Sequence, residues 1–186
     1  MRRQALGVVV ALAMGGCATT GPGTATPSAA TPSAADAPAA FNPTDVAWLQ
    51  LVVPMTENAL SAARLAPDHA TSTAVRSAAD AFAGPQDRLL VRLRAVRDRA
   101  GLPASGIHSG HRMPGMVTAA DLVALRTDRG PAFDRRLLAL LRAHAAQLVV
   151  LSRGEQASGA DTGTRELARD VGAEGARETE ALAKTA

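Results

Sequence analysis

Six side chains in this sequence have the chemistry of soft-metal ligands. His108, His111, Met113 and Met116 stand together as His-x-x-His-x-Met-x-x-Met, while Met55 and His144 lie on two separate apolar stretches. Thioether sulfur and imidazole nitrogen both suit Cu(I). The loop set could wrap one ion, whereas Met55 and His144 would need a third ligand inside the fold. Each group also has a structural reading: a single His on an apolar stripe is commonly a hydrogen-bonded core residue, and Met-Pro-Gly-Met is commonly a turn pinned by methionine packing. No pair of histidines with a third fixed ligand at helical spacing is present, so nothing indicates catalytic zinc. Asp45 and Asp134 read as first-turn residues facing helix dipoles, Glu155 and Glu178 have no partner histidine, and Ser152 lacks a positioned base. Gly101, Gly106, Gly110 and Gly115 do not join a strand to a helix, so there is no phosphate-cradling loop. The chain reads as a non-enzyme.

The elements that must position these residues are helices. His144 is the centre of the clearest one, expected from Pro131 to Arg153: Leu137, Leu140, Leu141, His144, Leu148 and Leu151 fall on one stripe of 3.6-residue period, so the imidazole is expected on the buried face. Gly130-Pro131 opens this helix and Arg153-Gly154 is expected to close it. An earlier helix is expected from Pro43 to about Leu65, with Asn42 as cap, Asp45 reaching back and Phe41 stapling onto Val46. Trp48, Leu51, Val52, Met55, Ala59 and Ala62 form its stripe, and Pro54 should kink it. After a turn at Ala66 to His69, a segment from about Thr71 to Ala100 should be interrupted at Gly84-Pro85, with the arginines from Arg88 to Arg99 mostly facing water. Gly101 to Val117 is expected as a loop, Thr118 and Asp121 as the capping box of a short helix ending near Arg129, and Gly154 to Gly163 as a second loop. The last helix, about Thr164 to Lys184, carries Gly172 and Gly175 and should fray. Shifting the chain by 89 residues places Asp45 on Asp134, Trp48 on Leu137, Arg76 on Arg165 and Met55 on His144. The fold class is therefore all-α: a four-helix bundle of two repeated helix hairpins with a short extra helix between them.

The amino terminus concerns address rather than fold. Residues 1–16 carry Arg2 and Arg3, an apolar run from Ala5 to Met14 and small residues, the layout of an export signal too short to anchor as a span. Cys17, the only cysteine, follows directly, so the signal resembles that of a bacterial lipoprotein, with Cys17 as the lipid-bearing residue. Residues 17–40 are almost wholly Ala, Thr, Pro, Ser and Gly and read as a disordered tether; residues 41–186 form the bundle. The expected location is the outer face of the bacterial cell membrane, with the membrane as partner through the lipid. With Cys17 acylated no disulfide is possible. Without Arg2 and Arg3 the balance is 18 basic to 17 acidic residues, there is no tyrosine, and aromatic residues are 2% of the chain. That composition gives neither a basic patch nor stacking platforms, and argues against nucleic acid as a partner.

The motifs Phe41-Asn42, Asp45-Val46, Pro54, Ala59-Leu60, His111-Arg112-Met113-Pro114-Gly115-Met116, Thr118 and Phe133-Asp134-Arg135 resemble, in order and spacing, the bacterial family catalogued as domain of unknown function 305. The resemblance spans Phe41 to Leu182. It implies an exported bundle of ferritin-like type, with copper binding in some members. The family's hallmark is a His-His pair on each of two helices. Here Met55-Thr56 replaces the first and His144-Ala145 keeps half of the second, while Ala62 and Leu151 stand at places usually held by methionine and Glu178 resembles a glutamate near each hairpin's end. The expectation is an envelope lipoprotein with copper as its candidate, weakly held cofactor; the alternative is a degenerate member that binds no metal and acts as a structural or protein-interaction module of unidentified partner.

Overall fold

The structure, a computed structural model, describes residues 41–104 and 113–185, all helix and connecting turns. The export signal, Cys17, the tether and His108 and His111 lie outside the described residues. Six helices follow in order: α1 (Pro43–Ala63), α2 (Ala66–His69), α3 (Thr73–Arg99), α4 (Ala119–Thr127), α5 (Gly130–Ser158) and α6 (Thr162–Ala183). The four long ones close a ring, α1 against α3 and α5, and α6 against α5 and α3, with α4 touching α1 and α5. Among the described residues, no helix is long and apolar enough to cross a membrane.

The helix starts form as their sequences dictate. Asn42 accepts from the Thr44 and Asp45 amides at 2.9 and 3.0 Å, and Asp45 accepts from the Asn42 amide at 2.7 Å. Thr118 and Asp121 repeat this capping box on α4. Phe41 lies beneath the Arg99 guanidinium, 5.2 Å from the ring centre, a cation over an aromatic face.

The repeat is real in three dimensions. α3 begins at Thr73 and α6 at Thr162, 89 residues apart, behind N-caps Ser72 and Asp161 at the same offset. Asp134 of α5 accepts from the Ser72 amide and the Thr71 hydroxyl, both at 3.0 Å. Asp45 of α1 accepts from the Ala160 amide at 3.1 Å and the Asp161 amide at 3.2 Å. Each aspartate thus closes the start of the other hairpin's second helix, a role wider than interaction with its own helix dipole.

Packing corrects three of the sequence expectations. α3 runs unbroken through Gly84-Pro85, because Phe82, Gln86, Leu89, Leu90 and Leu93 keep one buried face on both sides of the proline. α1 contains Pro54 within one helix, as expected, and ends at Ala63, near the expected Leu65. α5 does not stop at Arg153-Gly154 but reaches Ser158, since Ser152 and Glu155 remain inside the bundle. α6 is continuous from Thr162, and its glycines are contact points rather than weak spots. A β-carbon on Gly175 would stand 2.8 Å from the Ala145 carbonyl oxygen and 3.1 Å from the Leu148 β-carbon, and one on Gly172 would stand 3.0 Å from that of Ser152.

The two accounts of α6 differ in sign. If α5 and α6 need the bare glycine, Gly175→Ala should destabilise the fold by about 1 to 3 kcal/mol through overpacking against backbone. A frayed helix would instead gain about 1 kcal/mol from the better helix former. Chemical denaturation of the variant decides between them.

Candidate functional site

Two apolar cores fill the bundle, one at each end. The first gathers Ala59, Ala62, Val75, Phe82, Leu125, Phe133, Leu137, Leu141 and Leu182; the second gathers Trp48, Val52, Leu89, Leu93, Leu148, Leu167 and Val171. Between them the four long helices each place a buried non-aliphatic side chain: Met55 and Thr56 on α1, Gln86 on α3, His144 on α5 and Glu178 on α6. Each stands in sequence between residues of one core and residues of the other, so they form a polar waist. Met55, Thr56, Gln86 and His144 are all 0% exposed, and Glu178 is 5% exposed.

The waist is poorly satisfied. Gln86 donates its amide to both Glu178 oxygens at 2.9 Å. Among the described residues, its own carbonyl oxygen, the Thr56 hydroxyl and both His144 ring nitrogens have no hydrogen-bond partner. Each such buried group costs about 1 to 3 kcal/mol. Phe82 meets the imidazole edge-on, with ring centres 5.9 Å apart. Burial pulls His144 down to about 4, and the hydrogen-bonding approach of the Gly115 backbone opposes it, so the ring is neutral at neutral pH.

Of the other expected ligands, Met113 and Met116 are half-buried and flank a tight turn in which the Met116 amide donates to the Met113 carbonyl at 3.1 Å. Pro114 and Gly115, with φ of +72° at the glycine, occupy the corners as a type II turn requires. A β-carbon on Gly115 would lie 2.4 Å from that of Gln147 and 2.6 Å from the Ala143 carbonyl, so the turn rests on α5 at the level of His144. Asn58 of α1 holds the neighbouring Val117 carbonyl at 2.9 Å. Gly115 and Asn58 therefore dock this loop. No group of three or more His, Cys, Asp and Glu side chains able to hold a metal occurs among the described residues.

Sequence reasoning missed three polar members of the interior. Gln86 and Glu178 lie on apolar stripes, at Phe82-Gln86-Leu89 and Val171-Gly175-Glu178-Leu182, and carry the same periodic signal that revealed His144. Glu155, expected in a loop, is 1% exposed beside Asp45. Its oxygens have no donor among the described residues, and Gly159 lies against it so closely that a β-carbon there would overlap a carboxyl oxygen. Burial, then the Asp45 carboxyl and the Asp161 charge, push Glu155 up to about 8, with Arg165 opposing. Burial alone would raise Asp45 too, but the Asn42, Ala160 and Asp161 amides and the Glu155 carboxyl hold it below its ordinary value. Glu155 is thus a protonated acid beside an ionised one.

With the geometry in hand, comparison with known proteins places the fold. The family model for a domain of unknown function, DUF305, matches residues 26–186. The chain belongs to this family. A DUF305 fragment from Deinococcus radiodurans superposes with a TM-score of 0.67 at 22% identity, covering 79% of this chain and 96% of its own. A DUF305 protein from Streptomyces coelicolor, described as a "putative secreted protein", gives 0.65 at 21% identity, covering 75% and 90%. At such identity these crystal structures establish the shared helical fold alone. No curated protein matches the chain.

The interior acids give DUF305 stability an unusual pH profile. Glu155 and Glu178 bind protons in the native state up to about 8, against 4.5 when unfolded, so their contribution is complete below 4.5 and is lost as pH rises towards 8. His144 acts oppositely, its contribution being lost as pH falls from 6.5 to about 4. Between 4.5 and 6.5 two acids outweigh one imidazole, so stability should peak on the acid side of neutrality and fall from there to pH 8. Glu155→Gln with Glu178→Gln should remove the fall above pH 6.5; a flat wild-type profile in urea titrations would contradict the assignment.

Proposed function

We propose that this DUF305 protein is an exported, lipid-anchored bundle that holds Cu(I) weakly in its polar waist through His144 and Met55. The observation that carries the reading is the state of His144: fully buried, neutral, and without a side-chain partner among the described residues, the Gly115 backbone being the polar group that acts on its ring. A neutral imidazole is the ligand form, and one without a side-chain partner in a packed interior is available to a ligand. Met55 occupies the repeat-equivalent position on α1 and is equally buried. The donor set fits a soft ion content with few nitrogen and sulfur ligands and does not fit a hard divalent cation. When bound, copper would supply a Lewis-acidic partner for these side chains. The protein's own part is to keep His144 deprotonated, exclude water with the two apolar cores, and lay the Met113 to Met116 turn against α5. Cys17 would tether the bundle to the outer face of the cell membrane, and no nucleic-acid or catalytic role is proposed.

A second reading has its own support. Thr56 and Ala145 stand where the family's second histidines would be, which favours a bundle that kept its packing after losing its ligands and serves as an interaction module. Equilibrium Cu(I) titration separates the two. His144→Leu should weaken binding by roughly tenfold or more while leaving thermal stability equal or higher, because leucine suits the stripe and leaves no orphaned nitrogen. Unchanged affinity in that variant would remove His144 from the site and point to the loop carrying His108, His111, Met113 and Met116. Absence of binding by the wild type would favour the module.

A further inference from the structure

A cavity of about 340 Å³ opens between α3 and α6, at the small end of volumes that hold organic ligands. Its walls are the methyl groups of Ala78, Ala81 and Ala181 with Phe82 and Leu182. Glu178 is the one buried ionisable side chain in that lining. Glu174 and Arg177 also line the cavity, but they pair with each other, so the Arg177 charge is already matched. The group bonded to Glu178 is the neutral Gln86 amide, whose carbonyl oxygen is buried and unpartnered among the described residues. Burial pushes Glu178 up to about 8; Gln86 opposes the shift, Glu174 adds to it and Arg177 opposes it. An apolar chamber therefore contains a carboxyl group to which no cation is bonded.

We propose that this cavity binds a small organic cation, a primary ammonium on a short aliphatic body, with the ammonium on Glu178 and the chain along Phe82 and the alanine wall. Charge selects the class. A carboxylate ligand would bring a buried negative charge with no cation to match it, and an alcohol would leave the Glu178 proton in place. An ammonium forms a charge-assisted hydrogen bond and supplies the missing counter-charge. Binding then ionises Glu178, so at neutral pH, where burial keeps it mostly protonated, binding releases a proton from the protein. The inference does not depend on copper: Phe82 lines the cavity and meets His144 edge-on, standing between the ammonium site and the metal site.

The test is isothermal titration calorimetry of the mature chain, kept metal-free with a chelator, using n-hexylammonium, 1-hexanol and hexanoate as probes. Hexylammonium should bind, with proton release revealed by repeating the titration in buffers of different ionisation enthalpy, and hexanoate should not. Glu178→Gln should weaken hexylammonium by roughly tenfold or more and abolish the proton release. Ala78→Leu, which fills the chamber and leaves Glu178 intact, should block binding with the helical circular dichroism unchanged. The proposal is overturned if hexylammonium does not bind, if hexanol or hexanoate binds as well, or if Glu178→Gln binds it like the wild type. Because metal is absent throughout, failure here leaves the copper reading standing, and failure of the copper titration leaves this one.

Discussion

Two aspartates hold the hairpins in register, each closing the first turn of a helix in the other half. Asp134 takes the Ser72 amide, and Asp45 takes the Ala160 and Asp161 amides. A buried carboxylate on otherwise unsatisfied helix-start amides is a strong and directional contact, since both the charge and the orphan donors gain from it. The constraint is reciprocal, so α1 and α5 cannot slide along the bundle without uncapping α6 and α3. Equivalent residues are thereby fixed at equivalent heights, and Met55-Thr56 and His144-Ala145 meet the same middle level. The position of the polar waist follows from the capping.

The waist itself is destabilising. A hydroxyl, an amide oxygen and an imidazole without partners among the described residues subtract from a fold that has few aromatic side chains to offset them. The two apolar cores and the close α5–α6 approach at Gly172 and Gly175 supply the compensation. Buried polar groups left unpaired in a well-packed interior usually mark chemistry rather than architecture. In this member of DUF305 the waist carries two such titratable groups, His144 on α5 and Glu178 on α6, one neutral base and one neutral acid on adjacent helices.

Much of this was legible in the sequence. Asn42-Pro43 and Thr118-x-x-Asp121 announce helix starts through local hydrogen bonding alone, and the leucine stripe puts His144 inside. The 89-residue offset identifies both hairpins. Helix ends and interruptions were less legible, because tertiary packing decides them: Gly154 permits a stop, but buried Glu155 carries α5 five residues beyond Arg153, and Pro85 is tolerated because Phe82 and Gln86 stay packed. Gly175 reads as weakness until the Ala145 carbonyl is found where its side chain would be. At the site, Gln86 was missed and the burial of Glu178 was not foreseen, since polar residues on an apolar stripe were weighed as interior only when they were histidine. The lack of a partner for His144 is a three-dimensional property that periodicity cannot convey.

His144 is an interior, uncharged imidazole without a side-chain partner among the described residues. Long-range proton–nitrogen NMR of its ring tests this most directly, following the ring nitrogens from pH 8 downward and then after one equivalent of Cu(I) at neutral pH. The account predicts a neutral ring throughout until the pH approaches about 4, and a shift of one ring nitrogen on adding copper. A ring that titrates near the ordinary 6.5, or one whose nitrogens ignore the metal, would contradict it.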